Sequence, residues 1–479
     1  MKKRTKILAT IGPASDSLEM LESLVRAGVN VFRMNFSHGT HAYHEGVLKR
    51  IYQVMKNTGL MVGVLQDISG PKIRIETLEK DFDLKKEDKL EFVSKTVIGH
   101  LKAPAHYVLS INQPDILPKM HVGEFIYLYD GNIRAKVVSV GTSVVAVVQN
   151  SGKLTSNKGV NFPNTKIGIE VLTPKDREDM RWGVEHDVDF MAISFVQNAK
   201  DMQKARDIVT YYGGQQQLFA KIEKFDAVEN IDEILKVSDG IMVARGDLGI
   251  EVPYYEVPRI QKNVIQKANN ASKPVITATQ MLLSMTENET ATRAEISDVA
   301  NAVLDGTDAV MLSEESAIGL HPVLAVQTMF NTIRETEKNY NYDKFSNLEM
   351  HDEMDVIDEM AVRLSDRLKA DALLALTTSG QSAKKLARYR PIKAILAITH
   401  DAKIARSLSI VWGVVPAFLV EKKKLHEMLE DVVIEGLQKG VLEKEGCYVL
   451  TAGDPVGVAG TTNNIRVIRS EELAFYGGF

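Results

Sequence analysis

Phe219-Ala-Lys-Ile-Glu223 and Ile241-Met-Val-Ala-Arg-Gly-Asp247 are two short apolar runs that each close on a carboxylate. The acids lie 24 residues apart, from 223 to 247, about the length of a strand, a helix and a return strand. Neighbouring parallel strands would put both acids at the same end of a sheet. On a strand Lys221 shares a face with Glu223, because side chains two apart point the same way. Two acids and a lysine at one strand end suit a divalent cation and the transfer of a heavily charged group.

The same unit recurs on either side. Strands are expected at Lys6 to Thr10, Val31 to Asn35, Val62 to Gln66, Asp189 to Phe195, Leu218 to Glu223, Gly240 to Ala244, Pro274 to Ala278 and Asp308 to Leu312. Helical patterns lie between them, at Leu18 to Ala27, Asp176 to His186, Ala227 to Val237, Pro258 to Ala271 and Arg293 to Leu304. Eight strand-helix units predict a (β/α)₈ TIM barrel of α/β class. The spacing breaks once, between the strands starting at 62 and 189, leaving a surplus of roughly 95 residues over a normal unit.

That surplus contains the strand-like Lys89 to Val93, Phe125 to Tyr129, Ala135 to Val140 and Val144 to Gln149, with Asp130-Gly131 as a turn. It reads as a small β-barrel domain inserted after strand three, where it can act as a lid over the face on which such barrels keep their active sites. After a polar linker, Asn339 to Asp355, strands and helices alternate again from Met354 to Thr451, enough for a three-layer α/β domain. The expected domains are 1–71 with 168–340 (barrel), 72–167 (lid) and 341–479 (C-terminal).

A chain of 479 residues, 44% hydrophobic and 25% charged, is globular in composition and long enough for several domains. Its net charge of -5, from 63 acidic and 58 basic residues, speaks against a nucleic-acid partner. The single cysteine, Cys447, excludes an internal disulfide framework and is expected to be a buried small hydrophobe. Gly12-Pro13 and Asp16 cut the apolar N-terminal run short of a signal peptide. No run of about 18 apolar residues occurs, so no membrane partner is expected and the setting is taken as cytoplasmic.

Chemistry gathers at the strand ends. Strand two closes on Arg33-Met-Asn35-Phe-Ser37-His38, whose arginine suits bidentate binding of phosphate or carboxylate and is taken as a substrate clamp, the alternative being a rim arginine held by a neighbouring acid. Strand three closes on Asp67-Ile68-Ser69-Gly70-Pro71-Lys72, followed by Arg74. Thr277-Ala-Thr279-Gln280 ends strand seven, and Ser313-Glu314-Glu315-Ser316 ends strand eight. Each has an ordinary structural explanation; together they make one polar face.

These residues resemble the pyruvate kinase family. The resemblance rests on Lys6-Ile-Leu-Ala-Thr-Ile-Gly-Pro-Ala, Arg33-Met-Asn-Phe-Ser-His-Gly39, Gly70-Pro-Lys-Ile-Arg74, Ser156-Asn-Lys-Gly-Val-Asn161, Ala220-Lys-Ile-Glu223, Met242-Val-Ala-Arg-Gly-Asp-Leu-Gly249, Thr277-Ala-Thr-Gln-Met281 and Thr292-Arg-Ala-Glu295 with Asp298 to Gly306, in family order. It implies phosphoryl transfer from phosphoenolpyruvate to ADP, giving pyruvate and ATP, and a homotetramer.

The resemblance further implies that Glu223 and Asp247 hold Mg²⁺, with Mn²⁺ able to replace it, and that Lys221 faces the moving phosphoryl group. Arg33 would bind the phosphate, and Thr279 with the backbone of Arg245 and Gly246 the substrate carboxylate. Thr279 would also help to protonate the enolate. Asn35, Ser37, His38, Arg74 and Lys158 would serve the nucleotide, its phosphates and the cation sites.

Two departures from the family pattern carry expectations. Many members have Asp-Thr-Lys-Gly-Pro-Glu where this chain has Asp67-Ile-Ser-Gly-Pro-Lys72, and the glutamate form goes with K⁺ dependence. Ile68 lacks the hydroxyl, and Lys72 brings its own ammonium to the monovalent-cation region of Asn35, Ser37 and Asp67, so K⁺ is expected to be dispensable. In the C-terminal domain Thr377-Thr378-Ser379-Gly380-Gln381-Ser382 leads from a strand into a helix, a favourable place for an anion. The family binds phosphorylated effectors at the equivalent loop, often with arginine at the position of Gln381; an ordinary helix cap explains the segment too. Gly457 to Arg466 would supply a second wall. The rival readings are a Mg²⁺-dependent aldolase or lyase forming the same enolate, and a catalytically silent metabolite sensor.

Overall fold

The computed structural model describes residues 3–478 except 130, 164, 166, 167, 169, 346, 347, 422, 423 and 455–460. Eight parallel strands, Lys6–Ile11, Val31–Asn35, Gly63–Ile68, Phe190–Ile193, Gln217–Ile222, Gly240–Ala244, Val275–Ala278 and Ala309–Leu312, close into a barrel. Each pairs with its neighbours in chain order and the eighth pairs with the first, Lys6 opposite Ala309. Both faces of the strands are covered, which explains why they read as continuous apolar runs.

Local chemistry sets the boundaries. The fourth strand stops at Ile193, short of the expected Phe195, because Phe195 adopts φ 58° and gives its N–H to Glu223 Oε2 at 2.8 Å. The single helix expected from Ala227 to Val237 is two, Phe225–Glu229 and Ile231–Val237, meeting at Asn230. There the Asn230 amide donates to the Gln197 carbonyl at 2.9 Å, so a tertiary contact interrupts the local pattern. Reciprocal capping boxes open the helices at Thr173 with Asp176, Asn198 with Asp201 and Thr292 with Glu295.

Between barrel strands three and four the described residues form nine short strands, from Phe82–Leu84 to Val160–Asn161. Seven make one sheet and two a second, around a core that includes Phe82, Leu90, Phe92, Ile126, Ala135 and Ala146. Ile133–Val140 alternates buried and exposed positions over most of its length, as one covered face requires. Of the expected turn, Gly131 is left-handed at φ 85°, and Asp130 lies outside the described residues.

The C-terminal unit is a five-stranded sheet in the spatial order Val414–Leu419, Ile395–Thr399, Ala372–Leu376, Tyr448–Gly453, Thr462–Ile468, the last antiparallel. Both edge strands escape a reading by pattern: Val414–Leu419 contains Pro416, tolerated at an edge, and Thr462–Ile468 is interrupted by Asn463 and Asn464. The tail, which carries no motif, forms the helix Ser470–Gly477 and buries Leu473 and Tyr476 against the sheet. Cys447 is half-buried, less than expected, because it sits before the strand that starts at Tyr448.

This unit docks on the end of the barrel where the strands begin. Arg390 grips Asp308, just ahead of strand eight, at 3.0 and 3.1 Å, and also meets Asn269 Oδ1 at 2.7 Å and the Gly306 carbonyl at 2.6 Å. Arg406 meets Asp189, just ahead of strand four, at 2.8 Å. Among the described residues no helix is long and apolar enough to cross a membrane.

Candidate active site

The opposite end of the barrel collects the strand-end residues. Strand register sets Asp67 beside Asn35 and Ala192, and Ala220 beside Ile193, so strands two to five finish together. The Lys221 ammonium lies among Asp67 Oδ1 at 3.1 Å, Glu223 Oε1 at 2.9 Å and Ser194 Oγ at 2.7 Å. Asp67 turns its other oxygen to Arg33 Nε at 2.7 Å, and Arg33 Nη1 donates to Thr10 Oγ1 at 2.9 Å. Arg33 is thus held by a neighbouring acid and also stands at the rim beside Lys221.

Electrostatics separates the acids. Burial alone would raise the Asp67 carboxyl, but Lys221 and Arg33 overcome it and hold Asp67 below its ordinary value. Glu223 goes the other way: burial leads and the charge of Asp247 adds, so its carboxyl is raised despite Lys221. Lys221 is held above its ordinary value because Asp67 and Glu223 outweigh the cost of burying it. The excess of negative charge on the Glu223 side is what a bound cation would neutralise.

Asp247 sits in the first turn of the short helix Arg245–Glu251 and faces a cleft of about 400 Å³ between barrel and insertion. Lys72, Asn161, Phe195, Lys224 and Glu251 also line it. Glu251 Oε1 receives Lys224 Nζ at 2.7 Å and Asn161 Nδ2 at 3.2 Å, tying the insertion to the helix that carries Asp247. The Gly246 N–H donates to Thr279 Oγ1 at 2.8 Å. Thr279 and Gln280 adopt φ 71° and 56°, an uncommon backbone for such residues, and Arg245 grips the Thr279 carbonyl at 2.8 Å and Asp298 at 2.7 Å.

The remaining expected residues are more scattered. Asn35 Oδ1 accepts the Ser37 N–H at 3.1 Å, and the Ser37 and Ser69 hydroxyls lie 2.8 Å apart. Ile68 is fully buried. His38 is exposed, with its carbonyl 2.9 Å from His44 Nε2. Arg74 and Lys158 engage partners within the insertion: Arg74 Nη1 donates to the Asn157 carbonyl at 3.0 Å, and Lys158 Nζ stands 4.2 Å from the Tyr129 ring centre. The 377–382 loop belongs to the C-terminal unit: Thr377 Oγ1 caps the Gly380 N–H at 2.9 Å and Ser382 Oγ meets Thr462 Oγ1 at 2.6 Å. Residues 457–460 of its expected second wall lie outside the described residues.

Reasoning from motifs passed over Ser194, Thr10, Lys224 and Glu251. Ser194 carried a signal, a hydroxyl closing a barrel strand just as Thr279 does. The Lys224–Glu251 pair carried none, because only the fold brings the two together.

The donor set suits a hard cation. Glu223 and Asp247 supply carboxylate oxygens, and Mg²⁺ is commonly bound by one or two protein carboxylates with substrate oxygens and water completing its shell. Among the described residues there is no group of three or more His, Cys, Asp or Glu placed to hold a metal ion.

Two family models match the chain: the pyruvate kinase barrel domain over residues 2–326 and the pyruvate kinase alpha/beta domain over residues 355–468. A pyruvate kinase of Sporosarcina psychrophila is 42% identical over 474 residues, covering 97% of this chain and 80% of that protein. A pyruvate kinase of Staphylococcus aureus is 40% identical over 481 residues, covering 98% and 81%. The crystal structure of a pyruvate kinase from Cryptosporidium parvum superposes with a TM-score of 0.90 at 32% identity, covering 98% of this chain and 96% of that one.

Proposed function

The chain belongs to the pyruvate kinase family and is a phosphotransferase; from that premise we propose that its rim transfers phosphate from phosphoenolpyruvate to ADP in a Mg²⁺-dependent reaction. The observation that carries this reading is Lys221, an ammonium held between two buried carboxylates at the barrel rim. Phosphoryl transfer is catalysed chiefly by positioning and charge neutralisation, and this arrangement supplies both.

The side chains divide the work. Lys221 neutralises charge on the transferring group and the developing enolate, and Arg33, its plane set by Asp67 and Thr10, neutralises the phosphate. Glu223 and Asp247 are the protein donors for Mg²⁺, which when bound adds positive charge where phosphate and enolate oxygens gather. Thr279 and the backbone of Arg245 and Gly246 hold the substrate carboxylate; the Gly246 N–H, now on Thr279 Oγ1, marks the place. Thr279 then stands beside the enolate carbon to assist its protonation.

In this reading residues 72–167 form the lid over a barrel of 1–71 and 168–340, and Asn35, His38, Arg74 and Lys158 meet the nucleotide as the lid closes. The apolar, buried Ile68 and the lining Lys72 support turnover without K⁺. The helix start at Gly380–Gln381 supports a phosphorylated effector at residues 377–382 of the C-terminal unit, 341–479. A cytoplasmic homotetramer completes the proposal.

A coupled assay of pyruvate formation tests it. The wild type should need both ADP and Mg²⁺, and Lys221→Met should lose at least ~10³-fold in turnover. Pyruvate released without ADP would favour the aldolase or lyase instead. In the same assay, a substrate curve indifferent to sugar phosphates and nucleotide monophosphates would remove the effector site.

A further inference from the structure

An ammonium has three N–H donors, and in this structure that of Lys221 has three oxygen partners within 3.1 Å. It donates to Asp67 Oδ1 at 3.1 Å and to the hydroxyl of Ser194 at 2.7 Å, the shortest of the set, and pairs ionically with Glu223 Oε1 at 2.9 Å. Ser194 is 3% exposed. Its own proton goes to the Ile68 carbonyl at 2.7 Å, with Asp67 Oδ1 a distant alternative at 3.5 Å. The hydroxyl is therefore oriented: it donates toward strand three and turns a lone pair to Lys221.

The backbone holds that orientation. Ser194 directly follows the fourth strand, and the next residue, Phe195, turns left-handed to give its N–H to the other oxygen of Glu223. One dipeptide thus grips Lys221 by a side chain and Glu223 by a main-chain N–H. Gly70, at φ 67°, packs against it so closely that a Cβ there would lie 2.8 Å from the Phe195 ring and 3.1 Å from Ser194 Cβ. The pair is wedged between strands three and five.

A phosphoryl oxygen that binds Lys221 must take one of its three N–H groups. Glu223 is the acceptor whose oxygens are also wanted as metal donors, which leaves Asp67 and Ser194 to hold the ammonium. A lysine on a flexible stem pivots about one hydrogen bond and is aimed by two. A third carboxylate in place of Ser194 would compete with the phosphoryl group for the same charge, whereas a neutral hydroxyl fixes direction and adds no charge.

We propose that Ser194 is a positioning residue of the phosphoryl-transfer site, the neutral acceptor that keeps Lys221 aimed while one carboxylate contact is exchanged for substrate. The proposal rests on the role given to Lys221 above. Ser194→Ala, Ser194→Thr and Lys221→Met, each in the full chain, test it through kcat and KM for phosphoenolpyruvate measured separately and through the thermal midpoint.

Ser194→Ala should lose ~10–100-fold in kcat with KM within about threefold of wild type, as expected for an interaction that matters only once the group is being transferred. Ser194→Thr keeps the hydroxyl and should recover most of kcat. An unchanged kcat in Ser194→Ala, a change in KM alone, a loss that Ser194→Thr shares, or an alanine variant too unstable to assay would each overturn the proposal. If Lys221→Met is dead and Ser194→Ala is normal, only the serine assignment falls; if Lys221→Met turns over normally, the reading beneath it falls as well.

Discussion

At the rim, Lys221 divides its ammonium among Asp67, Glu223 and Ser194, next in sequence to Phe195, which lines a cleft of about 400 Å³; at the floor, Arg390 divides its guanidinium among Asp308, Asn269 and Gly306 beside a void of about 10 Å³. Both cations are buried and both meet an aspartate near the end of a barrel strand. The floor has room for about one water, so its charges can only satisfy each other. The rim opens on a space large enough for a substrate, so its charges have an alternative partner. Open volume, more than the kind of interaction, separates a site from a strut, in accord with the usual division of labour between the two ends of such barrels.

The largest expected effect breaks that comparison at the floor. Arg390→Ala would leave Asp308 buried without its partner, a loss of about 3–5 kcal/mol by analogy with other broken buried pairs. It should appear as an earlier thermal transition, while kcat of the protein still folded stays within about threefold of wild type. A variant that melts normally but has lost turnover would show that the floor takes part in the chemistry and that the contrast is wrong.

A smaller effect sharpens the comparison at the rim, where a partner can be exchanged. Lys72→Glu replaces a resident cation lining the cleft by an acid. Turnover in a tetramethylammonium buffer should then rise about tenfold or more on adding K⁺, whereas wild type should respond little. A wild type that itself needs K⁺ would remove Lys72 from this role.

Legibility in the sequence follows the same division. Barrel strands were readable because burial on both faces leaves unbroken apolar runs, and rim residues because polar side chains that end such runs have no business in a core. Lys221, Glu223 and Asp247 stood out for that reason. The floor was illegible: Arg390 and Arg406 find Asp308 and Asp189 across 82 and 217 residues, and no local pattern encodes such a meeting. Ser194 fell between the two cases, visible as a strand-end hydroxyl but meaningful only once Lys221, Ile68 and Phe195 stand around it. The edge strands Val414–Leu419 and Thr462–Ile468 were missed because half-covered edges admit proline and asparagine.

The smallest effect asks whether the floor treats a lysine as it treats an arginine. Lys384 is 6% exposed and donates to Gln217 Oε1 at 3.1 Å, without the fork of contacts that Arg390 makes. Burial is the leading influence and Lys273 reinforces it; Asp239 and Asp308 oppose them, yet the ammonium falls from 10.5 to about 8. Between about 8 and 10.5 the unfolded chain therefore binds more protons than the folded one, so the contribution of Lys384 to stability improves as pH rises through that window. Below about 8 the cost of burying the charge stands in full. Lys384→Met should accordingly stabilise the protein by about 1 kcal/mol at pH 7, and the gain should shrink toward pH 10 as the wild-type lysine loses its proton. Paired thermal midpoints at the two pH values decide it: a methionine variant less stable at pH 7 would mean that Asp239 and Asp308 outweigh burial, and that the floor holds lysine as firmly as arginine.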